Sequence, residues 1–359
     1  MRNWIRKYVS LLLVMALLLP LGAAATETEG TEIPETLPEE TVGALPAPEE
    51  TQPEETVPEE TEPEETFPEY VEYTVDEDSD MYRALDALVP ELVSDQILVY
   101  DYTNDKILYT MTTEGDKLYP ASITKLFSTY VALQYLDDGE IITAGEELKL
   151  VKPGSSMAYI GKGHRLYVRT VVEAMMLPSG NDAAMVLAAA AGRRIAGDET
   201  LEPEKAVQAF VAEMNRQAKG MGFEKTHFSN PDGFHSGSHY TSLKDMARIA
   251  KLALGNKVIS RYMKLYQDEV VFVSGQAITW KNTNLFLSPE DGYFRGDAIG
   301  MKTGFTRQAE YCLMSAFRAQ GGRTIVIGAF GCDDEFARFR DINKIINACN
   351  KQIKQEAQQ

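Results

Sequence analysis

The sequence predicts an α+β fold, an antiparallel sheet covered by helices from a central helical region. Three observations carry that expectation: strand-like runs at both ends of the folded part, helical periodicity between them, and an amphipathic helix that closes the chain.

Ahead of the folded part, Arg2, Arg6 and Lys7 precede an apolar run over 8–19, which Pro20, Gly22 and the alanines at 23–25 end. That order is the one of an export signal, expected over 1–25 with cleavage after Ala25; the run is short for a membrane span of roughly 20 residues. Residues 26–80 repeat Pro-Glu-Glu-Thr, starting at Pro38, Pro48, Pro53, Pro58 and Pro63, and hold 21 acidic and no basic side chains. So few apolar groups cannot offset the entropy of ordering, and the charges repel, so a disordered acidic spacer is expected. Subtracting these 21 negative charges and the signal's 3 positive ones from the net −19 leaves −1 for 81–359. A folded part so close to neutral gives no electrostatic case for nucleic acid as a partner.

Within 81–359, a single catalytic domain is expected. Residues 96–101 hold Ile97, Leu98, Val99 and Tyr100, a strand composition; Thr103, Asn104 and Asp105 turn the chain, and 107–111 returns as a hairpin. Over 122–136, Leu126, Phe127, Tyr130, Val131 and Leu133 form a broad apolar helical side. Further helices are expected over 168–176, over the alanine-rich 182–191, over 203–219 with Gly220 as its stop, and over 243–254 before Gly255. Strands are expected over 270–273, 300–304, 311–318 and 324–330, and a helix over 335–353. A cleft between sheet and helical region is the expected place for a site.

Three short motifs supply chemistry in that setting: Ser122-Ile123-Thr124-Lys125, Ser179-Gly180-Asn181 and Lys302-Thr303-Gly304. Alone, a Ser-x-x-Lys match is expected about once by chance in such a chain, and a Lys-Thr-Gly match in about one chain in ten. Context makes them specific. Ser122 sits at an expected helix start, with free backbone N–H groups and positive dipole, and Lys125 follows one turn later on the same face. Lys302-Thr303-Gly304 lies on a strand bounded by glycines, and Ser179-Gly180-Asn181 in a loop between helices. A serine hydroxyl needs a base to take its proton, and Lys125 serves only if burial or a second cation, for which Lys302 is a candidate, depresses its pKa. Ser179 is the candidate proton relay and Asn181 the positioning amide. Backbone N–H groups of Ser122 and Phe305 are the candidate oxyanion hole.

These stretches resemble the penicillin-binding proteins, and within them the low-molecular-mass D-alanyl-D-alanine carboxypeptidases. The resemblance covers most of 95–330 and rests on Pro120-Ala121 before Ser122, on Leu177-Pro178 before Ser179, on Asp182-Ala183-Ala184, on Gly300-Met301 before Lys302 and on Phe305-Thr306 after Gly304. Asn230-Pro231-Asp232-Gly233 and His239-Tyr240-Thr241-Ser242 add to it. The middle motif has Gly180 where the common pattern has aspartate. The resemblance implies the β-lactamase/penicillin-binding (transpeptidase-like) fold, with Ser122 as the acylated nucleophile, Lys125 as its base, and Ser179, Asn181 and Lys302 as relay and positioning residues. It implies that Thr303 helps to receive the terminal carboxylate beside Lys302, Gly304 and Phe305. The implied reaction is removal of the terminal D-alanine from a peptidoglycan stem pentapeptide through an acyl-serine, with β-lactams as covalent inhibitors and no cofactor. It implies action outside the cytoplasm, with wall or membrane association left open.

Two departures stand out. Glu310 precedes Tyr311 where relatives commonly have a small residue, and the closing helix ends on a polar sequence with Lys344, Lys351 and Lys354, unlike a C-terminal amphipathic anchor. Two other functions stay open at this stage: a β-lactamase on the same fold, although no Glu-x-x-Leu-Asn element is evident, and a non-catalytic wall module that binds or senses.

Other candidate sites have plainer explanations. His235 and His239 flank a loop-like Ser236-Gly237-Ser238, so hydrogen bonding within a loop is expected rather than a metal. Lys152, Lys162, Arg165 and Arg169 read as a solvated face, and Met175, Met176 and Met185 as core. The odd cysteine count leaves at least one of Cys312, Cys332 and Cys349 unpaired; Cys312 is expected in the core, with a Cys332–Cys349 pair left open.

Overall fold

The protein is described here by a computed structural model, in which residues 67–68, 71–113, 115 and 117–358 are described. The expected signal and most of the acidic spacer lie outside the described residues. Where the expected spacer does enter them, it is folded rather than extended. Tyr73 is buried, its hydroxyl donates to Asp105 at 2.6 Å, and Arg248 donates to the Val71 carbonyl at 2.8 Å. Three aromatic or apolar residues in this stretch (Val71, Tyr73, Val75) set it apart from the Glu-Pro-Thr repeats before it.

Helix α1 (Asp80–Asp86) opens with Ser79, whose side chain accepts from the Tyr82 N–H, a cap that stabilises a helix by about 1 kcal/mol. Strands β1 (Gln96–Asp101) and β2 (Lys106–Thr112) form the expected hairpin. Its turn is held by Asp101, whose Oδ1 accepts from the N–H groups of Thr103 and Asn104. After a single 3₁₀ turn over Ala121–Ile123 comes α2 (Thr124–Ala132), shorter than expected because the chain turns away beyond Leu133. The three-residue strands β3 (Ile141–Thr143) and β4 (Arg165–Tyr167) pair with each other, and α3 (Val168–Met176) follows at once.

Helix α4 (Asn181–Ala196) ends at Gly197 in the left-handed region, and α5 (Pro203–Gly220) begins on a proline at its first turn. Gly192 lets these two helices touch: a Cβ there would lie 1.8 Å from the Ala206 carbonyl oxygen. Helices α6 (Leu243–Gly255) and α7 (Lys257–Tyr262) complete the central region; β5 (Gln267–Val271) and β6 (Ala277–Lys281) form a separate hairpin. Strands β7 (Ala298–Thr306), β8 (Glu310–Arg318) and β9 (Thr324–Cys332) lead into the closing helix α8 (Ala337–Glu356).

The main sheet is antiparallel in the order β2-β1-β9-β8-β7, so its first strand in the sequence pairs with its last, β1 with β9. Side chains alternate across it. Leu98 and Tyr100 face the core shared with the helical region, while Ile97 and Val99 face α1 and α8, where Phe339, Ile342 and Ile346 pack. Burial of each such side chain contributes on the order of 1.5–3 kcal/mol. Strand β7 is the exposed edge on the side of the helical region, and that placement creates the expected cleft.

All three cysteines are buried and free, so no Cys332–Cys349 pair forms; Cys332 Sγ lies 3.2 Å from Ser94 Oγ. Met175, Met176 and Met185 are core residues. In the basic stretch, Lys162 pairs with Glu146 and Arg169 lies over the Tyr167 ring, as a solvated face requires.

Candidate active site

Seven segments of the chain line one cleft of about 850 Å³, a volume suited to a small substrate. Ser122, Ser179, Asn181, Thr303, Gly304 and Phe305 all line it. Lys125 and Lys302 lie behind that wall, both completely buried. All the candidate residues are thus brought together.

The nucleophile turn is strained and clamped. Ala121, beside Ser122, has φ of 47°, in the left-handed region that non-glycine residues avoid. A hydrogen-bond chain holds it. The N–H of Ser229 donates to His239 Nδ1 at 3.1 Å, which leaves the ring proton on Nε2 to donate to Thr124 Oγ1 at 2.8 Å. Thr124 then donates to the Ala121 carbonyl at 2.8 Å. Burial, with the neighbouring histidines His227 and His235, pushes the His239 pKa down to about 3, so this imidazole is neutral. Loop hydrogen bonding is therefore what His239 does.

Lys125 is the centre of the hydrogen bonding. Its Nζ lies 2.9 Å from Ser122 Oγ, 2.7 Å from Asn181 Oδ1 and 2.8 Å from the Asp232 carbonyl oxygen. The Asn181 amide is oriented by its Nδ2, which donates to Ser155 Oγ at 3.0 Å. Burial lowers the Lys125 pKa to about 8, against the pull of Asp232 and Asp182. The depression thus comes from burial; the repulsion between the two lysines is felt at Lys302, whose pKa burial also drives well below the usual lysine range.

Strand β7 presents its motif through a bulge at its start, where the pairing with β8 shifts register between Ala298 and Gly300. Both Gly300 and Met301 have positive φ, and a Cβ on Gly300 would lie 2.1 Å from the Met263 carbonyl oxygen. Beyond the bulge, Lys302 Nζ donates to the Thr303 carbonyl at 3.1 Å, and the Thr303 hydroxyl lies 2.5 Å from that of Thr283. Gly304 brings the strand against the nucleophile: a Cβ there would sit 3.2 Å from the Ser122 backbone nitrogen. Ser179 takes a positive φ at the loop before α4 and lines the cleft, but the motif's direct partner of Lys125 is Asn181.

Several residues around the site lie outside the three short motifs. Asp182 receives the N–H groups of Ala158 and Ile160, both at 2.9 Å, and so ties the strap that carries Ser155 to the start of α4. Arg338 of α8 is buried at the cleft and donates to the carbonyls of Gly304 and Cys312. A charge in the midst of the buried face of a helix was its only signal. Asp232 had one too, as the acid of Asn230-Pro231-Asp232-Gly233, without a role attached. Glu310, the departure noted in the sequence, adopts φ of 55° at the turn into β8.

Comparison with known proteins bears on the family and the fold. The sequence profile described as D-alanyl-D-alanine carboxypeptidase matches residues 84–331. A D-alanyl-D-alanine carboxypeptidase of Streptomyces is 32% identical over 249 residues, 67% of this chain and 81% of the relative. D-alanyl-D-alanine carboxypeptidase DacF of Bacillus subtilis is 28% identical over 245 residues, 67% of this chain; the match spans only 58% of that relative's length. The crystal structure of a Streptomyces DD-transpeptidase superposes with a TM-score of 0.63 at 28% identity, over 72% of this chain and 97% of that one. Its fold is the transpeptidase-like fold implied by the motifs. The chain belongs to the D-alanyl-D-alanine carboxypeptidase family.

Proposed function

We propose that this protein is a serine-type D-alanyl-D-alanine carboxypeptidase that removes the terminal D-alanine from peptidoglycan stem pentapeptides. The observation that carries the proposal is the environment of Lys125. Of its three hydrogen-bond partners, the Asn181 amide oxygen and the Asp232 carbonyl can only accept. A neutral amine with its two N–H groups on those oxygens has its lone pair left for the Ser122 hydroxyl proton.

In this mechanism Ser122 Oγ attacks the carbonyl of the penultimate D-alanine as its proton passes to Lys125. The oxyanion forms against the backbone N–H groups of Ser122 and Phe305. Collapse breaks the peptide C–N bond, and the leaving amine takes a proton through Ser179; water then hydrolyses the acyl-serine. Lys302 and Thr303, with the Thr283 hydroxyl beside it, receive the terminal carboxylate, and buried Arg338 adds positive charge on the same side. β-Lactams acylate Ser122 in the same way. The segment over 1–25 exports the protein and the acidic segment after it spaces the domain from its point of origin. Among the described residues no helix is long and apolar enough to cross a membrane.

Release of D-alanine from a peptide ending in D-Ala-D-Ala, with and without Ser122→Ala, tests the reading. Labelled penicillin should attach to the wild type and not to the variant. Penicillin turnover without D-alanine release would favour a β-lactamase, and stable labelling without release a sensor. The DD-transpeptidase relative motivates one added arm: an acceptor amine, whose capture of the acyl group would mark transpeptidation.

A further inference from the structure

The buried charges behind the cleft do not balance in an obvious way. Lys125, Lys302 and Arg338 bring three basic groups into the interior, against the carboxyl groups of Asp182 and Asp232. Asp182 is occupied: its two oxygens accept from the backbone N–H groups of Ala158, Ile160 and Ala183. Such donors stabilise a carboxylate without calling for a cation.

Asp232 is different. It is completely buried, its Oδ1 accepts from the Phe234 N–H at 3.0 Å, and its Oδ2 has no hydrogen-bond partner among the described residues. The same residue's carbonyl receives Lys125 Nζ at 2.8 Å, so this buried carboxyl belongs to a residue that the lysine touches through its backbone. The loop that holds it is locked. The N–H of Gly233 donates to Asn230 Oδ1, Asn230 Nδ2 donates to the Phe234 carbonyl, and Gly233 at φ of 82° presses on the Ala121 carbonyl. An unpaired buried carboxylate is costly unless a positive charge offsets it.

We propose that Asp232 is the counter-ion of Lys125, a positioning residue that acts through the lysine by holding the charge acquired from Ser122. In the acylation step the Ser122 O–H bond breaks, its proton bonds to Lys125 Nζ, and the serine oxygen bonds to the substrate carbonyl carbon. The ammonium so formed is offset through the buried loop by the Asp232 carboxylate, and no proton moves onto Asp232. The charged and titratable groups around the pair are Asp182 on α4, Lys302 on β7, Lys152 on the neighbouring loop and neutral His239. Burial raises the pKa of the Asp232 carboxyl, and attraction to Lys125 opposes that rise. The inference rests on the reading of Lys125 as the base of Ser122.

The test is the pH dependence of Ser122 acylation by labelled penicillin in the wild type, Asp232→Asn and Asp232→Ser. Asparagine keeps an oxygen for the Phe234 N–H and removes the charge, so the protonated lysine loses its offset and its pKa falls. The acid limb of the acylation profile should move down by about one pH unit in both variants. An unmoved limb with a lower plateau would mean a structural role and overturn the proposal, as would an upward shift. Failure of the wild type to acylate would instead overturn the functional reading itself. If neither variant folds, infrared difference spectra of the Glu173→Gln protein across the limb decide. A buried carboxylic acid band on either side of the limb would sink the counter-ion, and a carboxylate on both sides would support it.

Discussion

Lys125 Nζ stands 2.9 Å from Ser122 Oγ with its other two contacts fixed on obligate acceptors, so the direction of its lone pair is set by the fold. Two elements provide this. One turn of helix separates the serine from the lysine, and the start of α4 supplies Asn181 from across the core. The lysine is buried, which makes its neutral form accessible near physiological pH.

The first prediction is a pH dependence with a definite sign. A base works in its deprotonated form, and burial has lowered the Lys125 pKa to about 8. Acylation by labelled penicillin should therefore rise with pH and level off above about 8. Lys125→Met, which keeps the bulk and removes the base, should slow acylation by about 10³-fold. A variant that still acylates at the wild-type rate would remove Lys125 from the mechanism.

Two glycines set how closely the site is assembled. A Cβ at Gly304 would lie 3.0 Å from the Pro120 carbonyl oxygen, so Gly304→Ala requires β7 to withdraw by a few tenths of an ångström. Such a change should leave folding intact but slow acylation by about 10–100-fold, because the strand edge and the nucleophile lose their spacing. Gly233→Ala is harsher: its Cβ would meet the Ala121 oxygen at 1.8 Å from a positive φ. It should destabilise the domain by more than about 2 kcal/mol. Melting temperatures and acylation rates measured on both variants separate the two effects.

Much of this arrangement was legible in the chain. Hydrophobic pattern sufficed for β1, β2, β8, β9 and α3, because β2 alternates and the others are unbroken buried runs of the right length for their element. The motif residues were legible because their chemistry demands particular side chains. The rest depends on contacts between distant segments. Strands β3 and β4 are three residues each and exist through mutual pairing, and β6 buries little beyond Trp280, which donates to the Ala158 carbonyl. The end of the acidic stretch misled because its average composition hides Tyr73, which is buried against Tyr100 and bonded to Asp105. Arg338 and Asp232 gain a role only from what folds around them.

His239 should behave as structure, not as catalyst. With its pKa near 3, it has no proton to gain or lose in the working range. His239→Ala removes the donor to Thr124 and the acceptor for the Ser229 N–H, and should cost about 1–3 kcal/mol of stability. Acylation should slow as the Ala121 turn loosens, while its acid limb stays where it was. A limb near the ordinary histidine range that vanishes in this variant would contradict the assignment.

A separate carboxyl predicts how stability depends on pH. Glu173 on α3 is buried, its Oε1 lacks a partner among the described residues, and Asp268 of β5 shares a hydrogen bond with it. Burial and then that acid raise its pKa from 4.5 to about 8, with Arg261 opposing. In the unfolded chain the group ionises near its ordinary value, so from there up to about pH 8 the folded protein binds the extra proton. Its contribution is therefore complete at low pH and is lost as pH rises through the folded value. Glu173→Gln keeps a neutral hydrogen-bonding group that cannot ionise. Its melting temperature should match the wild type near pH 5 and exceed it by a few degrees, about 2–4, above pH 8. Thermal melts across that range decide it: parallel curves for the two proteins would show that Glu173 is ionised in the folded state, against the burial seen here.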